Sequence, residues 1–368
     1  MKKSTSINVL FISNGIWEYD GRMRELTKVA DALGDAKYIT RAGKNITTTH
    51  TNHISIIGKS YLFYIIKTII EGIKTASVDV LFVDNRKAII PSLFLIFIKK
   101  RCKVIYDCRE LYLCKEVGHL TGKIGCFFES IMLKKVDVVL CANNERAKLM
   151  NKLYQLKGEL VVYQNIRKLN SDVISDHKEF ERKYSHIFDK KTIKLISTSG
   201  FLISRRTDIL IKAIAMLGNN CDLLLVGGGT EKDKKEIERL IIDLNVNNVH
   251  LVNKVKESEL KFLVSRSDIG IVSYGSNDLN NKYCASGKIF EFIFEGLPVV
   301  TTENRPLSCF VIKNKIGVSD NLYFNGICEV MKNYNYYKDK VNVLASQISP
   351  ENNIHEVAKQ IVFKLKKS

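Results

Sequence analysis

The nine cysteines, spread from Cys102 to Cys328, form no CxxC pair and are odd in number. Their spacing excludes zinc ribbons and thioredoxin-type redox motifs and argues against a closed disulfide framework. Reduced thiols, and with them a cytoplasmic location, are the expectation. No apolar run approaches the ~20 residues of a spanning helix. The start, Met1-Lys2-Lys3, is followed only by the short run Ile7 to Ile12, too little for a secretory signal. Short-period repeats and low-complexity tracts are also missing, which argues against solenoids and disordered tails.

What remains is the composition of a folded protein. Of 368 residues, 45% are hydrophobic and 26% charged. That length exceeds what one hydrophobic core usually serves, so two domains are expected. The formal charge is +18, and it is uneven: residues 1–170 hold 28 Lys and Arg against 15 Asp and Glu. A basic first half suits an anionic partner, either nucleic acid or the negative face of a bilayer.

Short β-rich apolar runs alternate with helical patterns along the whole chain. Ile7 to Ile12, Ile54 to Ile57, Val80 to Val83, Val104 to Tyr106, Val138 to Cys141 and Leu160 to Tyr163 form a first series of strands. Ile193 to Ser197, Leu223 to Val226, Val249 to Val252, Ile269 to Val272 and Pro298 to Thr301 form a second. Helical spacing over segments such as Met23 to Leu33 and Lys232 to Leu244 completes the alternation. Continuously apolar strands interleaved with helices predict parallel sheets covered on both faces. The fold class is therefore α/β, with two Rossmann-like doubly wound domains facing across a cleft. Expected boundaries are a first domain over 1–170, a polar linker over 171–190 and a second domain over 191–348. A helix over 349–368 is expected to pack back on the first domain.

Two stretches carry chemistry. The apolar strand ending at Val226 runs into Gly227-Gly228-Gly229, and Thr230 then opens a charged helix. Glycines there let backbone approach a phosphate, and a helix start favours an anion; a tight turn closing a β/α unit explains them equally well. The G-x-G-x-x-G spacing and ribose acid of a nicotinamide enzyme are absent. The second stretch, Ser286 to Val300, is a helix bearing Lys288, Ile289 and Glu291 that ends at Gly296, followed by Leu297-Pro298-Val299-Val300. From spacing alone Lys288 and Glu291 form either an intrahelical ion pair or a paired binding site.

The second stretch resembles the donor-site helix of retaining GT-B glycosyltransferases, above all glycosyltransferase family 4. Those enzymes carry a Glu, a Gly five residues on, and then x-Pro-Val-Val. Other segments share the likeness in the same order: Ser197 to Gly200 with Arg205 to Ala213, then Val249 to Val255, and in the first half Asp20-Gly-Arg22-Met-Arg24 and Tyr106 to Leu111. The resemblance implies that Glu291 accepts hydrogen bonds from the ribose hydroxyls, and that Gly200, Gly227, Gly228, Lys254, Val255 and Ile289 line the donor. It implies that Lys288 with Arg205 or Arg206 stabilises charge on the leaving phosphate. Gly15, Asp20, Arg22, Arg109 and Glu110 fall on the acceptor or sugar side, although structural salt bridges explain such charges at least as often. Three positions depart from the family: Tyr283 replaces an acid eight residues before Glu291, Phe201 replaces a basic residue, and Arg109 replaces a His. No Asp-x-Asp occurs among eighteen aspartates, so no metal or cofactor is expected beyond the nucleotide-sugar donor.

The implied activity is sugar transfer with retention from a nucleoside diphosphate to a glycan or lipid-linked acceptor, in assembly of capsule, O-antigen or exopolysaccharide. A sugar-nucleotide epimerase of the same architecture is the alternative. No basic stripe interleaved with aromatics and no recognition helix stands out, so a nucleic-acid partner is not expected. Ile89 to Ile98, closed by Lys99-Lys100-Arg101, and Tyr61 to Ile73 are apolar with basic flanks. Either they cover the first sheet, or they rest on an anionic membrane and make the protein peripheral on its inner face. His50, His53 and His119 have no motif around them and read as loop or surface histidines.

Overall fold

The computed structural model describes residues 7–17, 20–43, 52–58, 60–169 and 177–367. The chain forms two compact units, Met1–Gln164 with Glu351–Ser368, and Asn165–Pro350.

The first unit is built on a seven-stranded parallel sheet. Its strands are β1 (Asn8–Ile16), β2 (Asp35–Ala42), β3 (His53–Ile57), β4 (Val80–Asp84), β5 (Lys103–Asp107), β6 (Val138–Cys141) and β7 (Glu159–Val162), in the order β3-β2-β1-β4-β5-β6-β7. The central strands β4 and β6 are buried along their whole length, which is why they read as unbroken apolar runs. Helix α1 (Gly21–Leu33) starts where the Asp20 side chain accepts from the Met23 amide at 3.0 Å, an N-cap that satisfies one orphan donor. It buries Met23, Leu26 and Val29 against the face carrying Val9, Phe11 and Phe82. The C-terminal helix α15 (Pro350–Leu365) adds Val357 and Ile361 to the same core. Helices α2 (Tyr61–Lys74), α3 (Ile89–Ile98) and α4 (Leu120–Met132) follow β3, β4 and β5, and α5 (Asn144–Tyr154) follows β6.

The second unit has six parallel strands in the order β10-β9-β8-β11-β12-β13. They are β8 (Ile193–Ser197), β9 (Cys221–Val226), β10 (Val249–Val252), β11 (Ile269–Val272), β12 (Val299–Thr301) and β13 (Gly317–Ser319). Two apolar cores cover the sheet: one packs α6 (His177–Phe188), α9 (Glu257–Ser265) and α11 (Lys288–Phe294), the other packs α7 (Thr207–Leu217), α8 (Glu231–Asp243) and α13 (Phe324–Lys332).

Two strands escape the sequence reading. β2 is short on apolar runs because Asp35, Lys37, Thr40 and Arg41 interrupt it, yet it pairs with both β1 and β3. β13 is three residues long and is defined by its pairing with β12. The expected linker is also more ordered than its composition suggests. Residues 177–188 of it form α6, whose Phe180, Tyr184 and Ile187 recur at helical spacing and are buried against Phe262. The remaining linker positions 171–176 lie outside the described residues, as does His50. His53 is no loop residue: it opens β3, its ring lies tilted against Trp17 with centroids 4.5 Å apart, and it shares a hydrogen bond of 2.6 Å with the Thr40 hydroxyl.

Candidate functional site

In the second unit, parallel order brings the carboxyl ends of β8 and β9 side by side, and their two glycine turns interlock. The Gly200 amide donates to the Val226 carbonyl at 3.1 Å, and the Phe201 amide to the Gly228 carbonyl at 3.1 Å. Gly200 (φ +73°) and Gly227 (φ +136°) hold backbone angles that side chains rarely adopt. A Cβ on Gly200 would run into the Gly228 carbonyl, and one on Gly227 would stand 2.9 Å from the Gly200 Cα. These two glycines therefore serve close backbone packing. Gly228 differs: a Cβ there meets nothing within 4 Å, so its backbone faces open space.

Helix α11 stands beside these turns. The Lys288 ammonium donates to the Thr198 carbonyl at 2.5 Å and reaches the Ser199 hydroxyl at 3.4 Å, so it lies over the end of β8. Burial pushes its pKa down to about 8; Arg205 and Arg167 push the same way, and Glu291 opposes them. Glu291, one turn on, is 1% exposed and is ion-paired with the Arg167 guanidinium. Ile289 turns its side chain into the core and can offer a ligand only its backbone. The Arg205 guanidinium carbon stands over the Tyr274 ring, 4.1 Å from its centroid, a cation–π contact. Lys288 thus has two further cations, Arg205 and Arg167, and one carboxylate, Glu291, within electrostatic reach.

Arg206 does not join them by any bond seen here. It sits in the left-handed region (φ +60°) at the start of α7, and its guanidinium donates to the Asn321 carbonyl at 2.9 Å. Phe201 is buried in the core beneath the glycine turn, a position where a basic side chain would lose its hydration. Lys254 is exposed on the loop after β10, while Val255 packs against the core. The loop between β11 and α11 is tied down by Asn304, which donates to the carbonyls of Gly275 at 2.8 Å and Asn281 at 3.0 Å.

In the first unit, the candidate acceptor-side residues form a charge network at the ends of β1, β4 and β5. Register sets Ser13 beside Asp84, and Asp84 beside Asp107. Arg109 grips Asp84 through two hydrogen bonds of 2.6 Å and Asp20 through two more, of 2.8 and 2.6 Å. Ser13 adds a bond of 2.7 Å to Asp84 and accepts from the Gly15 amide at 2.9 Å. Arg22 pairs with Asp107 at 3.0 Å and lies over the Tyr163 ring at 4.3 Å. Burial raises the Asp84 carboxyl above the usual range, with Arg109 pulling it back and Asp107 adding to the rise. For Arg109 burial acts downward, but Asp84, Asp20 and Asp107 outweigh it and hold the guanidinium above its ordinary value. A Cβ on Gly15 would stand 2.6 Å from the Asp20 carboxylate, so glycine there gives the network room. Glu110 is exposed and lines a separate cavity of about 900 Å³, with Asn14, Lys87, Tyr112 and His119 among its walls.

Arg167 and Asp84 escaped the sequence reading, while Thr198 and Asp107 fell inside the resembling segments without a role of their own. The two aspartates have a legible signal, since each ends an apolar strand on the side where parallel sheets bind ligands. Arg167 has none, because only the path of the chain after β7 brings it to Glu291.

No family model matches the sequence, and no curated protein matches it. The fold does have relatives among solved structures. A sucrose-phosphate synthase from Thermosynechococcus elongatus superposes with a TM-score of 0.72 at 14% identity, covering 98% of both chains. HepE from Anabaena, in complex with UDP-glucose, gives 0.73 at 14% identity over 98% of this chain and 100% of that one. WaaG, a glycosyltransferase involved in lipopolysaccharide biosynthesis, gives 0.69 at 16% identity over 96% and 99%. Two doubly wound α/β units in sequence, as in these structures, are the GT-B fold, and this chain has it.

Proposed function

We propose that the protein is a glycosyltransferase that takes a sugar from a nucleoside diphosphate bound at the second unit, with retention of configuration. The observation that carries this reading is the cation excess around Lys288: Arg205 and Arg167 join it against the single carboxylate of Glu291, near the open backbone of Gly228. Three positive charges against one negative leave about two uncompensated, which is what a diphosphate supplies. Bound UDP-glucose in HepE, a structure of the same fold, supports the donor class.

In this reading the diphosphate lies between Gly228 and Lys288, and Arg205 donates to it from its seat on Tyr274. Glu291 accepts from the ribose hydroxyls; a carboxylate has acceptor sites beyond the one that Arg167 fills. Arg167 fixes the carboxylate and is a positioning residue. As the bond from the sugar to the β-phosphate breaks, the electron pair stays on phosphate oxygen. Lys288 and Arg205 stabilise the charge that grows there. Lys254 and Val255 stand where the base would be held, and Arg206 acts through the loop at Asn321. On the acceptor side, Glu110 faces the cavity of the first unit, while Asp20, Arg22, Arg109 and Gly15 shape the sheet edge behind it. The acceptor is a glycan or lipid-linked saccharide of capsule, O-antigen or exopolysaccharide, met on the cytoplasmic side of a membrane.

A panel of UDP-, GDP- and dTDP-sugars, followed by thermal melting, tests the donor site, because a ligand bound only by the folded state raises its stability with occupancy. One nucleotide should raise the melting temperature of the parent and not of Glu291→Gln. If no nucleotide sugar stabilises the parent, the proposal fails. Conversion of the donor sugar with no acceptor present would favour the epimerase instead.

A further inference from the structure

The apolar side chains left in water by the fold are not scattered. Of twenty-three large apolar residues exposed among the described residues, twelve stand on α2, α3 and α4. Helix α2 is turned inside out: Thr68 and Gly72 are among its buried residues, whereas Leu62, Phe63, Ile66, Ile70 and Ile73 are exposed, with Lys67 and Lys74 among them. A helix on a soluble surface shows the opposite pattern. On α3, Phe94, Phe97 and Ile98 are exposed, Phe97 by 75%, and Lys100 and Arg101 follow at once. On α4, Leu120, Ile124 and Phe127 recur at i, i+4 and i+7, with Lys123 beside them. These stripes are neighbours, because α3 packs against both α2 and α4. Lys99 fastens the corner by donating to the Thr75 carbonyl at the end of α2 at 2.6 Å. The second unit differs: Met216, Ile242 and Ile312 are exposed singly on α7, α8 and α12 (Arg305–Asn314), as on any protein surface.

We propose that α2, α3 and α4 seat the first unit on an anionic lipid bilayer. A contiguous apolar face flanked by lysines is built for the boundary between acyl chains and negative headgroups. Lysines lying against aromatic rings, Lys67 near Phe63 and Lys100 near Phe97, place charge and apolar surface at one level, as such a boundary requires. A second copy of the chain is a poorer occupant, since it would set Lys67, Lys100, Arg101 and Lys123 against their own kind. Insertion is shallow, because no helix among the described residues is long and apolar enough to cross a membrane.

The test is co-sedimentation of the full chain with vesicles of phosphatidylcholine and phosphatidylglycerol, compared with phosphatidylcholine alone. The parent should sediment with the anionic vesicles at low salt and less at high salt. The pair Leu62→Ser and Phe97→Ser should weaken partition about tenfold or more, given the apolar area each residue buries. Ile312→Ser, an exposed apolar residue of the second unit, should change nothing, and all variants should melt as the parent does. Failure of the parent to bind anionic vesicles overturns the proposal. So does equal binding by parent and double variant, or a dimer in solution that the double variant dissociates. Sugar transfer plays no part in this readout, so its outcome is independent of the donor-site test.

Discussion

The two charge clusters at the strand ends have the same ingredients and opposite balances. In the first unit Arg109 makes four hydrogen bonds to Asp84 and Asp20, and Arg22 pairs with Asp107; each of the three carboxylates has a guanidinium partner, and in that sense the network is closed. In the second unit Lys288 has two further cations, Arg205 and Arg167, and one carboxylate, Glu291, within electrostatic reach. A closed network holds a fold together, whereas an unbalanced one carries a cost that an anionic ligand relieves. The contrast predicts a structural role for the first cluster and, on the proposed function, a binding role for the second.

The largest effect is expected from breaking the closed cluster. Arg109→Ala strands a carboxylate that is wholly buried, and should cost about 3–5 kcal/mol of unfolding free energy, read from urea denaturation. A loss below about 1 kcal/mol would mean that Asp84 is compensated by other groups. The counterpart, Lys288→Ala, should leave stability unchanged or slightly higher, since it removes a cation held below its usual pKa. Turnover should nevertheless fall by ~10²–10³, the effect of removing one donor to a developing oxyanion. Equal losses of stability in the two variants would erase the distinction drawn here.

Arg167→Ala is the intermediate case. Glu291 is buried but Arg167 is 36% exposed, so screening reduces the effect to about 1–2 kcal/mol. Nucleotide affinity should fall further than turnover at saturating donor, as befits a positioning residue. The smallest effect is on pH. Lys288 titrates near 8 when folded and at 10.5 when unfolded, so between these values the unfolded chain holds more protons. Stability should rise modestly with pH across that window, and the rise should vanish in Lys288→Ala. On the proposed function, donor affinity should fall as pH passes 8, because the ammonium proposed to meet phosphate is lost; calorimetry in buffers of different ionisation heat would detect the proton taken up on binding.

Much of the α/β framework was legible in the chain because strands buried on both faces must be apolar throughout. Among the described residues, strands buried throughout such as β9 and β11 announce themselves this way. β2 did not, because its polar residues are tolerated at positions that only sheet pairing defines, and α6 did not, because its apolar positions are few among charges. Lys288 and Glu291 could be singled out from the Gly-x-Pro ending that follows them. Their partners could not.

The sequence by itself determined the alternation of strand and helix, the glycines that close β8 and β9, and the surplus of positive charge. It also set the apolar character of α2 and α3, without saying which side of each helix would meet water. Tertiary structure alone decided which charges neutralise one another. Arg109 reaches Asp20 across 89 positions of chain and Arg167 reaches Glu291 across 124. An ion pair depends on separation in space, and folding is what converts distant positions into neighbours.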